Sequence, residues 1–139
     1  MTSWKEGVNS HMESVLKKAV EIHGHLGPFL VLGVKMGLLA KSLLNKGIQK
    51  CEVEVIGEKP YLCAVDGIRA IIGDGIAIKE GKGITATFHG AEGVQVILTV
   101  KESIVKKYAQ VPWELCEERA HEVFKESEEN LLVWHRVTQ

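Results

Sequence analysis

The chain has 139 residues, a hydrophobic fraction of 45%, a charged fraction of 25% and a formal net charge of −1. This length suits one domain with its own buried core, so we expect residues 1–139 to form a single domain. The net charge argues against a general nucleic-acid coat, because neutralising phosphates requires a clear basic excess.

Cysteine usage and hydropathy bear on the compartment. Three cysteines, Cys51, Cys63 and Cys116, are an odd number and do not suggest a disulfide framework. No cationic leader with a cleavage site opens the chain, so we expect a cytoplasmic protein. The most apolar run, residues 26–40, is shorter than the roughly 20 residues that span a bilayer, so we expect no membrane partner.

The first predicted element is an amphipathic helix that ends near His23. Apolar residues such as Leu16 and Ala19 recur at steps of three and four, while Lys17 and Lys18 fall on the other face. His23 continues the apolar stripe, so its side chain is expected to point towards the core. Gly24 then ends the helix.

A second helix is predicted from Pro28 through the apolar run 29–44. Proline suits the first turn of a helix, where its missing N–H would have no intrahelical acceptor. The run is apolar nearly all round, which predicts a central helix packed on several sides. Gly33, Gly37 and Ala40 lie about one turn apart and predict close approach of another element.

The segment "CEVEVIG" predicts a half-buried strand, because Cys51, Val53 and Val55 alternate with glutamates. The next segment, "YLCAVDGIRAIIG", predicts a short helix that begins near Cys63 and ends at Gly73. Residues 74–83 predict a glycine-rich loop with a short extended piece at 76–78.

The remaining elements predict an α+β fold. "ITATFHG" and "VQVILTV" predict a β-hairpin, and two helices are expected at about 101–109 and 113–128. "LLVWHRV" closes the chain as a strand or as an arm exchanged in a homodimer. Helices and strands do not alternate strictly, so the expected class is α+β, with a small, mostly antiparallel sheet packed against several helices.

The pair His23 and His25 is the first candidate site. Neutral imidazole is the commonest biological metal ligand, and a short turn that leads into the Pro28 helix would hold two imidazoles stiffly. The alternative is a capping and turn element with His23 as a satisfied core residue. The spacing of two histidines does not by itself decide between them.

Cys63 is the second candidate. It stands at a predicted helix start, where the helix dipole favours the thiolate, and Asp66 follows on the same helical face. The alternative for Cys63 is a small buried hydrophobe. The patterns around Cys51 and Cys116 assign both to the core, and the other histidines have no constellation around them.

Two blocks carry a family resemblance: "HGHLGPFLVLGVKMG", and "CAVDGIRAIIGDGIAIKEGKG". Over residues from about 20 to 100 they resemble the family of the E-type subunits of formylmethanofuran dehydrogenase and their stand-alone relatives. The resemblance implies an α+β domain with a metal site, often taken as zinc, and no tungstopterin on this chain. By position, His23, His25 and Cys63 are the implied ligands, and Asp66 and Lys82 match the family aspartate and lysine.

Two departures from the family pattern bear on that site, because Gly27 and Asp74 stand where the family has cysteines. A thiol–disulfide role therefore becomes improbable, whereas a mixed site of His, Cys and Asp suits zinc or a similar divalent transition metal.

Three hypotheses follow. The first is a metal-binding domain in which Asp66 or Asp74 orients a ligand or acts as a general base. It covers both a metal-dependent enzyme and a protein associated with an oxidoreductase. The second is a non-catalytic accessory component, a homodimer or a small-molecule binder. The third is a relic in which the replaced cysteines have abolished metal binding.

Overall fold

The chain forms an α+β fold in which one mostly antiparallel sheet lies against helices, as the sequence predicted. The structure, a computed structural model, describes residues 13–21 and 24–138. The helices are α1 (described over 13–21), α2 Pro28–Leu43, α3 Cys63–Ile72, α4 Glu102–Ala109, α5 Cys116–Lys125 and α6 Glu128–Leu131; the strands are β1 Lys50–Val55, β2 Ile76–Glu80, β3 Ile84–His89, β4 Val94–Val100 and β5 Leu132–Thr138.

The sheet has the strand order β2-β1-β3-β4-β5. β1 and β2 are parallel, and the other three pairs are antiparallel. A parallel pair needs a crossover connection, and α3 supplies it between β1 and β2. The short extended piece expected at 76–78 is therefore a full strand at the edge of the sheet.

One face of the sheet is buried. In β1 the side chains of Cys51, Val53 and Val55 point into the core, and Glu52 and Glu54 are exposed on the other face. β3 has the same alternation. The apolar side chains on this face of the sheet therefore pack into the core, as the alternation in the sequence predicted.

Helix α2 runs through the centre of the molecule. Pro28 occupies its first turn, and the amide of Leu44 closes it by donating to the carbonyl of Ala40 at 2.8 Å. Every residue from Pro28 to Gly37 is buried, because α3 and α5 both pack on this helix. The predicted central apolar helix is confirmed, and none of the helices in the described residues is long and apolar enough to cross a membrane.

The glycines of α2 meet α3. A Cβ on Gly33 would clash with the carbonyl oxygen of Ala64, and a Cβ on Gly37 would lie 2.8 Å from the Cβ of Ile71. Only a residue without a side chain allows the two backbones to approach this closely. The predicted close approach is confirmed, and α3 is the partner element.

Lys35 is a buried charged residue in the middle of α2. Its Nζ donates to the carbonyl oxygen of Glu126 and lies 3.8 Å from a carboxylate oxygen of Glu128. Burial lowers the pKa of Lys35, and the charges of Glu128 and Glu126 oppose that shift. This contact ties the segment between α5 and α6 to the central helix.

The C-terminal segment differs in detail from the prediction. The single helix expected at 113–128 is a turn, Trp113–Leu115, followed by α5 and α6, because Glu126 and Ser127 adopt extended backbone. The final segment is a strand that pairs with β4 of the same chain, from Val94 opposite Thr138 to Val100 opposite Leu132.

Candidate metal centre

The turn between α1 and α2 is built on Gly24. Its φ of +109° lies in the left-handed region that favours glycine, and its amide donates to the carbonyl of Val20 at 2.6 Å. This bond ties the backbone that leads into α2 to the described part of α1. His25 follows at once and is partly buried, whereas His23 lies outside the described residues.

His25 is held between two neighbours. The ring of Trp113 lies against its imidazole, with centroids 4.4 Å apart and planes tilted by 33°. On another side, a Cβ built on Gly27 would lie 3.5 Å from Nε2 of His25. A side chain at position 27 would therefore contact the imidazole nitrogen, and glycine leaves that space open.

Cys63 begins α3 and is 8% exposed. Burial raises the pKa of its thiol, the charges of Asp66 and Cys116 raise that pKa further, and the charge of Lys59 opposes them. The sequence predicted a thiolate favoured by the helix start. The pKa of the thiol is raised instead, because burial disfavours its charged form.

His25 and Cys63 line the same pocket, which has a volume of about 50 Å³. It lies where the starts of α2, α3 and α5 meet. Its walls are His25, Gly27, Pro28, Phe29, Leu30, Pro60, Cys63, Tyr108, Val111 and Cys116. Two of the three predicted ligands are thus brought together, although 38 positions of sequence separate them.

Cys116 is the pocket residue that sequence reasoning missed. Its helix pattern assigned it to the core, but it is partly buried and lines the pocket beside Cys63. It is absent from the set of buried core residues, which includes both Cys51 and Cys63. No spacing motif links Cys116 to the histidines, so the only sequence signal was a third thiol at a helix start.

The two candidate acid–base residues, Asp66 and Asp74, both lie close to Arg69. Its guanidinium lies 2.6 Å from the carboxylate of Asp66 and 3.6 Å from that of Asp74. Asp74 is 98% exposed, and neither aspartate is among the pocket walls. The contact of Asp66 with the pocket is electrostatic, through its effect on the Cys63 thiol.

The side chains at the pocket fit a metal by chemistry, since imidazole nitrogen and cysteine sulfur are the donors that zinc takes in proteins. Their positions do not form a ready metal site. Across residues 13–21 and 24–138, no three His, Cys, Asp or Glu side chains lie close enough together to hold an ion. His23 stands outside those ranges. A bound ion would have to draw its ligands together.

Lys82, the match to the family lysine, lies at a different pocket of about 530 Å³. The walls are Ile56, Tyr61, Lys82, Gly83, Ile84, Thr99, Val100, Glu102, Val105, Lys106 and Ala109. The two pockets are connected by a ring contact, because Tyr61 of this pocket packs edge-on against Phe29 of the smaller one, with centroids 5.4 Å apart.

Comparison with known proteins gives one family and one curated relative. The family model described as "FmdE, Molybdenum formylmethanofuran dehydrogenase operon" matches residues 22–135. A curated protein of Archaeoglobus fulgidus, named a probable S-adenosyl-L-methionine-binding protein, is 31% identical over 80 residues. That match covers 56% of this chain and 21% of the relative, so the chain spans about a fifth of the relative's length.

Proposed function

The chain belongs to the FmdE family of formylmethanofuran dehydrogenase operons, and from this membership we propose that it binds a divalent transition metal, zinc first among them. His25 and Cys63 are the proposed ligands, and His23, two positions before His25 in the sequence, is the third. The observation that carries the proposal is that His25 and Cys63, from two distant parts of the sequence, line one pocket.

Metal binding at this pocket displaces a proton. Because burial raises the pKa of the Cys63 thiol, the ion must compete with the proton for the sulfur, so affinity increases as the pH rises. An ion with an open coordination position would act as a Lewis acid and would lower the pKa of bound water. The carboxylate of Asp66 forms an ion pair with Arg69 at 2.6 Å. Asp66 would have to leave this ion pair before it could act as a general base at the pocket.

The test is metal content, measured by mass spectrometry on untagged protein purified without chelator. We expect near-stoichiometric zinc in the parent protein and its loss in His25→Ala and Cys63→Ser. The matched controls are His135→Ala, an exposed histidine on β5, and Cys51→Ala, a core thiol on β1. Parent protein without metal after incubation with zinc, nickel and cobalt would overturn the proposal.

A second candidate function is binding of S-adenosyl-L-methionine, which the name of the Archaeoglobus fulgidus relative supports. The larger pocket would be its place, since Tyr61 offers a ring and Glu102 offers a carboxylate to a cationic ligand. Calorimetric titration of the metal-free protein checks this. We expect saturable heat in the parent and a weaker signal in Tyr61→Ala. No heat in the parent would reject it.

A further inference from the structure

We propose that the larger pocket binds a small organic carboxylate with an apolar body, and that Lys82 pairs with its carboxylate group. The inference goes beyond the metal site and does not depend on it, because the walls of the two pockets share no residue. At about 530 Å³ the larger pocket has the size of an ordinary small-molecule site.

The pocket lies at the end of the sheet where the parallel strands β1 and β2 both end. The loop after β1 contributes Ile56 and Tyr61, and the loop after β2 contributes Lys82 and Gly83. Helix α4 supplies further wall residues. In open sheets with parallel strands, small molecules bind in the crevice outside the carboxyl ends of the strands. The pocket therefore occupies the part of the fold where a ligand is expected.

Most of the wall is apolar. It contains the buried side chains Ile84, Val100 and Val105 and the half-buried Ile56. Tyr61 adds an aromatic ring, and the contact of that ring with Phe29 limits its rotation. Burial of apolar surface is the main source of affinity at a wall of this kind, so the ligand needs an apolar body.

The charged side chains of the wall decide the charge of the ligand. They are Lys82, Lys106 and Glu102. Lys106 is already paired, because its Nζ lies 2.9 Å from Oε1 of Glu102, one turn earlier on α4. Lys82 forms no ion pair with any of the described residues. The net positive charge of the wall is therefore that of Lys82. A monoanion matches it, whereas a dianion would place extra negative charge near Glu102.

The backbone on both sides of Lys82 is tied to the end of β1. The amide of Gly81 donates to the carbonyl of Val55 at 2.9 Å, and the amide of Ile56 donates to the carbonyl of Gly83 at 3.0 Å. These two bonds hold the Cα of Lys82 at the pocket. Only the side chain of Lys82 has to be ordered when a ligand binds, which keeps the entropic cost of binding small.

The experiment uses hexanoate, which joins an aliphatic body to one carboxylate. It is titrated into nitrogen-15-labelled protein, and the amide shifts of the wall residues Gly83, Ile84 and Val105 are followed. We expect saturable shifts at these amides. Hexanol has the same body without the charge and should bind about three- to tenfold more weakly, since one partly exposed charge-assisted contact contributes about that much.

Three variants assign the charge. Lys82→Gln should weaken hexanoate about three- to tenfold and leave hexanol unchanged. Glu102→Gln should strengthen hexanoate, because Lys106 loses its partner and is released to the ligand. The matched control is Lys79→Gln, which removes one positive charge from β2 outside the walls of this pocket and should match the parent. All three side chains are exposed, so each variant should keep the fold.

Several results would overturn the proposal. They are the absence of shifts at the wall amides, equal affinities for hexanoate and hexanol, and parent affinity in Lys82→Gln. Tighter binding of hexylamine than of hexanoate would also overturn it and would favour the cationic ligand considered above. Repeating the titration with EDTA separates this pocket from the metal site. Binding that persists supports the proposal, and binding that is lost with the metal would assign the carboxylate to the ion instead.

Discussion

Gly33 of α2 and Gly67 of α3 face each other across the contact between these helices. A Cβ on Gly67 would lie 2.9 Å from the Cα of Gly33 and 2.7 Å from the amide nitrogen of Val34. The two glycines let the helices touch backbone to backbone. Because this contact lies in the first half of both helices, it also brings the starts of α2 and α3, and with them His25 and Cys63, to one pocket.

The first prediction concerns this contact. Gly67→Ala should reduce the free energy of unfolding by about 1–3 kcal/mol or more, because the new methyl group meets the rigid backbone of α2 at less than 3 Å. Urea denaturation followed by circular dichroism measures the loss. Gly83→Ala is the matched control, since a Cβ there meets nothing within 4 Å. Equal stability of the two variants would contradict the close packing.

The second prediction concerns Lys35. Lys35→Ala should cost about 2 kcal/mol or more, because it leaves a cavity in α2 and removes the donor to the carbonyl of Glu126. Glu128→Gln should change stability by about 0.5 kcal/mol or less, since Glu128 is 42% exposed and its carboxylate lies 3.8 Å from the ammonium. Chemical denaturation of both variants checks the ranking. A larger effect for Glu128→Gln would show that the ion pair, and not the carbonyl contact, holds the segment.

The third prediction is a pH dependence. Tyr108 donates to Glu122 at 2.5 Å, and this bond is the first cause of the lowered pKa of Glu122. A lowered carboxyl pKa gives stability that is present above the ordinary value of 4.5 and lost as the pH falls through the folded-state pKa. Tyr108→Phe should therefore cost about 1 kcal/mol near neutral pH and progressively less in acid.

At alkaline pH the stability contributed by the same pair depends on pH in the opposite direction. Burial and the bond to Glu122 raise the pKa of Tyr108 above its ordinary value of 10. The stability that the protonated phenol contributes is therefore complete below pH 10 and is lost as the pH rises through the folded-state pKa. Thermal melts of the parent and Tyr108→Phe from acid to alkaline pH test both arms. A stability difference that stays constant across this range would exclude coupling between the two side chains.

The fourth prediction uses Trp113 as a reporter of metal. Since its ring lies 4.4 Å from that of His25, an open-shell ion such as Co²⁺ bound at His25 should quench its fluorescence, whereas Zn²⁺ should not. Trp113→Phe should remove most of the quenching while leaving the Co²⁺ affinity little changed. Trp134→Phe is the control on β5. Equal fractional quenching in Trp113→Phe would place the ion elsewhere.

Local patterns predicted most of the fold. The alternation of Cys51, Val53 and Val55 and the all-round apolarity of α2 are properties of neighbouring residues, and both elements form as predicted. The edge strand β2 was harder to recognise. Four of its five residues are exposed, so it lacks the alternation by which a half-buried strand is identified.

The site was predictable only in part. His25 and Cys63 were singled out as candidates because each lies in a recognisable block, and the structure places both at one pocket. Cys116 could not be placed, because its position depends on how α5 packs on α2 and on the turn Trp113–Leu115 that precedes it. The pKa of the Cys63 thiol is likewise set by burial, which a sequence pattern does not measure.

The contact between Lys35 and Glu126 has a consequence for synthesis on the ribosome. The two residues are 91 positions apart, so the ammonium of α2 is translated long before its acceptor exists. Until the segment that carries Glu126 emerges, closing the core around α2 would bury an uncompensated charge, which is strongly unfavourable. Nascent chains that do not yet include Glu126 should therefore stay open and sensitive to proteases, and synthesis of the segment between α5 and α6 should commit the protein to its native packing.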